Sequence, residues 1–349
     1  MTIQCYFLDV GQGTSQVILL GNQRAIVVDT GPSHKNKARN VCFKLLQKQQ
    51  IQWIEALVLS HDHIDHTGGI SDILQEYRTR IRRIFYSFNN NNDFIQDFQK
   101  ITHPLLTDAS SSKTLCKRLL KPCLLYDDNK TKVELLYPST EDQNNANVIG
   151  DINYTSGVVL LTHQNHSILF TADAPYSAFE QINTNNGLLD VDIATISHHG
   201  GNIDATPNQL NKLFSNYLKT KFAIVSVGTR NSYNHPNPNI IRTIANHDIG
   251  LFCTQITSAC CPEESLEIWR NIRGDFGLDN SLSTFQRDII VDNNQELSRN
   301  VACAGTIIAT ISENGTIIEQ LDDLYSTKEK LKNQIPNSSP CCNASCNCE

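Results

Sequence analysis

Four apolar runs in this chain end in the same way, and that recurrence constrains the fold more than any other feature. They are "EALVLSHDHIDHTGG" (residues 55–69), "ILFTADA" (168–174), "DIATISHHGG" (192–201) and "FAIVSVGTRNSYNHP" (222–236). Each is a strand-length stretch rich in β-branched residues that breaks into small or turn-forming residues carrying His or Asp. Residues this far apart meet only if the strands lie in sheets sharing an edge. The implied fold class is α/β, with the active site assembled from loops on that edge.

The segments between fit that class. "CYFLDVGQG" and "SQVILLGNQRAIVVDTG" read as strands, as do "IRRIFYS", "KVELLYPS" and "SGVVLLTH". "KARNVCFKLLQKQQ" places Val41, Leu45 and Leu46 at helical spacing, and "GGISDILQEYRTR" reads as a helix that starts after its glycines. "CAGTIIATISENGTIIEQL" (303–321) is two β runs around an Asn-Gly turn, a hairpin. Residues 88–132 hold "FNNNNDF" and "DASSSK" and read as a variable insertion of loop around one or two helices. One domain is therefore expected over 1–325, and an irregular Cys-rich tail over 326–349. No run approaches the ~20 apolar residues a membrane helix needs, and the first residues lack the pattern of a signal peptide. With no export signal, the 12 cysteines read as reduced thiols in a cytoplasmic protein. The net charge of −7 offers no global attraction for nucleic acid. Only local basic runs, Arg78-Thr79-Arg80 with Arg82-Arg83, and Lys113 with Lys117, Arg118 and Lys121, could guide a polyanion.

The chemistry concentrates in His61-Asp62-His63-Ile64-Asp65-His66. In extended backbone, residues i and i+2 point the same way, so His61 and His63 can grip one ion together. Asp65 and His66 follow as the chain begins to turn and can face a second ion. Imidazole and carboxylate without thiolate suit Zn2+, Mn2+ or iron. Gly68-Gly69 would let the chain turn sharply away. One motif does not close a two-metal site, and Asp173 and His198-His199, also at strand ends, are the distant candidates. A carboxylate bridging two cations would hold them ~3.5–4 Å apart, and a water between them would ionise near neutral pH to become the nucleophile. His235, after another strand, is a candidate phosphate contact or proton donor.

These residues resemble the metallo-β-lactamase superfamily, whose signature is HxHxDH. The finer resemblance is to the ComEC-type competence family and its free-standing relatives. Its "DVGQGD" is matched by Asp9 to Thr14, its "DTG" by Asp29 to Gly31, and its "SHxHxDHxGG" by Ser60 to Gly69. Its "GDA" is matched by Ala172 to Ala174, its "HHG" by His198 to Gly200, and its "N-x-Y-x-HP" by Asn231, Tyr233, His235 and Pro236. The resemblance implies a four-layer αββα sandwich. It implies two divalent ions, Zn2+ favoured over Mn2+. His61 and His63 would hold one ion, and Asp65, His66 and His198 the other, with Asp173 bridging. His198 is preferred to His199, Asp65 and His235 are the catalytic candidates, and Asp29 would orient the ligands from behind. The implied reaction is hydrolysis of a phosphodiester, in nucleic acid or a nucleotide. The alternatives are hydrolysis of a lactam, lactone or thioester, or an effector component of a multi-protein defence system. Three departures stand out: Thr14 where the family has Asp, Ala172 where it has Gly, and no histidine in "INYTSGVVLL", where many superfamily members place a further ligand.

Overall fold

The computed structural model describes residues 2–33, 40–87, 115–229, 231–255, 257, 259, 305–313 and 315–320. Two mixed sheets face each other. The first has eight strands: β1 (Ile3–Phe7), β2 (Gln16–Gly21), β3 (Arg24–Val28), β4 (Trp53–Leu59), β5 (Arg83–Tyr86), β6 (Leu115–Arg118), β14 (Ile307–Ser312) and β15 (Gly315–Gln320), in the order β15-β14-β1-β2-β3-β4-β5-β6. The second has seven: β7 (Cys123–Asp127), β8 (Thr131–Tyr137), β9 (Val158–His163), β10 (His166–Phe170), β11 (Leu189–Thr195), β12 (Leu218–Val225) and β13 (Gly250–Cys253), in the order β13-β12-β11-β10-β9-β8-β7. Strands β3 to β6 run parallel to one another, and so do β10 to β13. Parallel neighbours bring their C-terminal ends to one edge, where α/β sheets place their ligands.

Three apolar layers hold the sheets and helices together. Between the sheets, Phe7, Ile18, Ile26 and Val58 pack against Val133, Leu161, Ile168 and Phe170. Outside the first sheet, α1 (Val41–Lys48) and α3 (Ile70–Tyr77) bury Leu45, Leu46, Ile73 and Leu74 against Leu57 and Leu59. Outside the second, α5 (Tyr176–Asn186) and α6 (Pro238–Asn246) bury Phe179, Ile182, Ile240 and Ile244 against Leu169, Ala194 and Val225. Each buried aliphatic or aromatic side chain contributes roughly 1.5–3 kcal/mol. Strand residues alternate between these layers: in β4, Ala56 and Val58 face the other sheet while Leu57 and Leu59 face the helices. This is the αββα sandwich that the resemblance implied.

Local chemistry marks the element ends. Asn40 caps α1 by accepting from the Phe43 N–H at 3.0 Å. The β2–β3 hairpin turns through Asn22 and Gln23, both left-handed at φ 50° and 56°. Helix α4 (Thr140–Ile149) starts on a Ser139–Asp142 capping box and stops at left-handed Gly150. In contrast to the helical insertion expected over 88–132, its latter part forms β6, β7 and the start of β8, while residues 88–114 lie outside the described residues. The miss has a physical cause: β6 and β7 are edge strands, with Leu115 and Leu124 exposed, so neither shows a clear apolar alternation. The expected 303–321 hairpin is represented by β14 and β15, which extend the first sheet with Ile3 opposite Ile311. The Cys-rich tail lies outside the described residues. Among the described residues no helix is long and apolar enough to cross a membrane.

Candidate metal centre

The C-terminal ends of β3, β4, β10, β11 and β12 converge, and each carries a polar side chain to the junction. After β4 the chain bends at His61 and Asp62, and His63 is extended at φ −66° and ψ 141°. The chain then enters a short helix, α2 (Ile64–Thr67), with His63 at its N-cap and Asp65 and His66 inside it. The helix sets Asp65 and His66 apart from His61 and His63. Gly68 and Gly69 follow in right-handed helical conformation, φ −60° and −81°. Their purpose is therefore close approach and not the sharp turn expected from sequence. A Cβ at Gly68 would overlap Ser33 N and one at Gly69 would overlap Thr30 O, because the 29–33 loop packs directly on this segment.

Two groups of metal-capable atoms result: His61, His63 and Asp173 form one, and Asp65, His66 and His199 the other, with the atoms of each group within 4.8 Å of one another. Asp173 lies between them. Its Oδ2 is 3.7 Å from His61 Nε2, and its Oδ1 is 3.1 Å from His66 Nε2 and 3.8 Å from His199 Nε2. His61 Nε2 and His63 Nδ1 are 3.0 Å apart, and His199 Nε2 is 3.2 Å from Asp65 Oδ2.

The position of the histidine after β11 differs from the sequence expectation. His198, preferred from sequence, points out of the cluster, its Nδ1 2.6 Å from the Asn202 carbonyl. His199 turns inward and is 2 % exposed. The cause is two successive left-handed residues, His198 and His199, both at φ 55°. Strand alternation does not carry through such a turn. Asp29 (φ 56°) and Ala172 (φ 45°) are left-handed as well, so strained backbone gathers at this edge. Ala172 is thus a departure with a cost, since glycine would take that conformation freely.

Hydrogen bonds behind the ligands decide which nitrogen each ring offers. Asp29 is 1 % exposed; its Oδ2 accepts from His66 Nδ1 at 2.8 Å and Ser60 Oγ at 2.7 Å, and its Oδ1 accepts from Ser60 N at 2.8 Å. A carboxylate only accepts, so His66 carries its proton on Nδ1 and presents the Nε2 lone pair. The Ser60 hydroxyl proton goes to Asp29, so His61 Nδ1, 3.0 Å from Ser60 Oγ, donates and leaves its Nε2 free. His199 Nδ1 donates to the Ser226 carbonyl at 2.8 Å, which frees its Nε2 in the same way. This is how metal-binding imidazoles are oriented. Thr14, where the related family has a carboxylate, keeps a polar contact: its Oγ1 donates to Asp29 Oδ2 at 3.2 Å and lies 2.9 Å from His66 Nδ1. Ser60 and Ser226 carry roles that sequence reasoning did not assign. The Ser60 signal was its place directly before the first histidine; the Ser226 contribution is a backbone carbonyl and leaves no trace in sequence.

The electrostatics are those of a site short of positive charge. Burial opposes charge on His61, and His66 beside it adds to that, so its pKa lies well below the usual imidazole value. Burial also opposes charge on His66, but the Asp173 and Asp29 carboxylates outweigh it and hold its pKa well above. Asp173 is desolvated, yet the surrounding imidazoles hold it well below the carboxylate range; Asp65, beside His199 and His66, is held down too. His66 Nε2, Asp173 Oδ1 and His199 Nε2 are buried without a hydrogen bond of good geometry, although Asp173 Oδ1 lies 3.1 Å from His66 Nε2 and 3.8 Å from His199 Nε2. Buried polar atoms left unpaired are rare. Atoms that crowd together without bonding each other are aimed at a common third point, and the oxygen and nitrogen donor set suits a divalent cation. The residues fit the two ions expected.

A profile described as the Metallo-beta-lactamase superfamily matches residues 8–206, more than half of the chain. The chain belongs to that superfamily. Within it, the chain is similar to ComE operon protein 3 of Bacillus subtilis, 20% identical over 264 residues that cover 71% of this chain and 31% of the relative. It is also similar to Recombination protein 2 of Haemophilus influenzae, 26% identical over 245 residues, 70% of this chain and 26% of the relative. The chain therefore spans under a third of the length of these relatives. Among solved structures, the metallo-beta-lactamase fold protein YhfI of Bacillus subtilis aligns with 72% of this chain and 96% of its own, at 12% identity and a TM-score of 0.42. Human tRNase Z, short form, aligns with 66% and 93%, at 12% identity and a TM-score of 0.38. Members of this superfamily are generally hydrolases, and in this chain the two metal-capable groups lie at the sheet edge.

His235, the remaining expected site residue, sits beside the cluster, its ring stacked 6.1 Å from that of His199. Asn231 braces its loop, accepting from His235 N at 2.7 Å and donating to His235 O at 3.0 Å. Burial lowers its pKa to about 4, with His198 and His199 adding to the effect. The basic runs divide. Arg80 pairs with Glu76, and Arg82 with Glu55, at the N-terminal end of β5, remote from the metal edge. Arg118 closes β6 on the metal edge and donates to Gln143 at 2.7 Å. Lys113 lies outside the described residues.

Proposed function

We propose that the chain is a two-metal phosphodiesterase acting on nucleic acid or a nucleotide. The observation that carries the reading is Asp173, whose two oxygens face two separate ligand groups, one around His61 and His63 and one around Asp65, His66 and His199. Zn2+ is the favoured occupant and Mn2+ the alternative. Bound there, a divalent pair lowers the pKa of a coordinated water toward neutrality and offsets charge on phosphoryl oxygens. The protein's own contribution is geometry and proton placement. Ser60, Asp29 and Ser226 hold the Nδ1 atoms of His61, His66 and His199, so the Nε2 atom of each ring is turned to the junction before anything binds. Asp65, kept ionised, accepts a hydrogen bond from the attacking water and orients it. His235, neutral at physiological pH, offers a hydrogen bond to a substrate oxygen or accepts a proton. Exposed Tyr233, its ring 5.5 Å from His235, offers a face on which a nucleobase can stack. The phosphodiester preference is supported by the ComEC-type resemblance and by the recombination role in the name of one relative. The free thiols of Cys5 and Cys42, both buried, support a reducing, cytoplasmic setting.

The test is a substrate panel with protein loaded with Zn2+ or Mn2+: bis(p-nitrophenyl) phosphate, single- and double-stranded DNA, a lactone, a lactam and a thioester. The expected result is turnover of phosphodiesters, lost with metal in Asp65→Ala and His61→Ala. In His235→Ala, metal content should hold while kcat falls about 100-fold or more. Ester or lactam turnover with inert phosphodiesters would replace the reading with the other hydrolase class.

A further inference from the structure

The two ligand groups are unequal. The second has two imidazoles, its own carboxylate and a share of Asp173; the first has two imidazoles and a share of Asp173. The turn before β9, at the same sheet edge, carries two oxygens without partners. Ser156 is 0 % exposed, and its Oγ is buried with no hydrogen bond; Asn153 Oδ1 is likewise buried and unbonded. Both belong to one helical turn, Ile152–Thr155 and its C-cap, closed by Ser156 N donating to Asn153 O at 3.0 Å. Two backbone relations place this turn at the first group. Val159 pairs with Phe170, and Ser156 and Asp173 each lie three residues beyond that pair toward the same edge. Gly157 N donates to Ser60 O at 3.0 Å, so Ser156 is adjacent to a residue bonded to the segment that leads into His61.

An unpaired buried hydroxyl costs free energy in any folded state that leaves it unpaired. A fold that buries two such oxygens at the sheet edge that carries His61 and Asp173 recovers that cost only when something binds them. We propose that Ser156 Oγ and Asn153 Oδ1 complete the first cation's coordination, as neutral oxygen ligands. This rests on the two-metal reading above. The consequence is chemical. Neutral hydroxyl and amide oxygens bind a borderline ion such as Zn2+ less tightly than imidazole does, and suit harder ions such as Mn2+. The first site is therefore the weaker and more exchangeable of the two, and the more tolerant of Mn2+.

The experiment titrates the metal-free full chain with Mn2+, counting free ion by electron paramagnetic resonance, and with Zn2+ against a chromophoric chelator. Ser156→Ala, Asn153→Ala and the double variant are compared with wild type, and all are also melted without metal. Wild type should bind two ions with separated affinities. The double variant should keep the tighter site and weaken the other by tenfold or more, with a metal-free melting temperature equal to or above wild type. Ser156→His should tighten Zn2+ at the weaker site relative to Mn2+. Two sites of wild-type affinity in the double variant would overturn the assignment and leave the two-metal reading standing. A wild type that binds one ion or none would overturn both.

Discussion

Asp29→Asn isolates the part of the site that never touches an ion. Asp29 is buried and accepts four hydrogen bonds, three on Oδ2 from Ser60 Oγ, His66 Nδ1 and Thr14 Oγ1, and one on Oδ1 from Ser60 N. Asparagine has one accepting oxygen. Its amide nitrogen is cheapest at the Oδ1 position, where it faces a single donor. That leaves the Ser60 N–H buried and unsatisfied, at about 1–3 kcal/mol, and weakens three charge-assisted bonds to neutral ones, at about 0.5–1 kcal/mol each. The metal-free protein should lose about 2.5–6 kcal/mol in urea unfolding. Without the carboxylate, His66 is also a less basic and less firmly oriented ligand, and such changes reduce metal affinity about 10–100-fold. The loss should be largest at high pH. At lower pH the wild-type His66 proton, which Asp29 helps to hold, competes with the cation and narrows the difference. Chelator competition for Zn2+ at two pH values, with urea titration of the metal-free protein, measures both. Zn2+ affinity within twofold of wild type at high pH would refute the claim that Asp29 sets the His66 lone pair.

Three further outcomes follow from the geometry. His199→Ala should lose one of two bound ions or weaken it at least tenfold, whereas His198→Ala should retain both, as equilibrium dialysis will show. Metal binding should release protons and tighten with rising pH. In the metal-free fold His66 and His199 have raised pKa values, His66 by the Asp173 and Asp29 carboxylates and His199 by Asp173 and Asp65, so each keeps to higher pH than a free imidazole a proton that a cation must displace. The same His66 shift stabilises the metal-free fold fully below the unfolded imidazole value of about 6.5, a contribution lost as pH rises through its folded value. Calorimetry in buffers of different ionisation enthalpy reads the proton count, and buffer-independent heats would contradict it. Phe170→Ala empties a position 1 % exposed between the sheets, 6.0 Å from the Phe7 ring, and should cost about 3–5 kcal/mol by urea midpoint.

Much of this protein is legible in its sequence because period-2 patterning and strand-end polar residues are local signals. The apolar runs ending at Ser60, Thr171, Ile196 and Val227 mark strands, and the His and Asp residues after them mark one edge. His61, His63, Asp65, His66 and Asp173 could be named because ligands must cluster wherever the chain folds. Three things were settled only by tertiary structure. His199, and not His198, faces the cluster because paired left-handed residues rotate the chain by an amount that no alternation rule carries. The partners that fix each imidazole come from other segments: Asp29 for His66, Ser226 O for His199. Edge strands β6 and β7, exposed on much of their surface, have no apolar pattern to read until a sheet supplies their neighbours. Residue type and spacing determine which atoms can bind a cation; the backbone's route through space determines which nitrogen faces it.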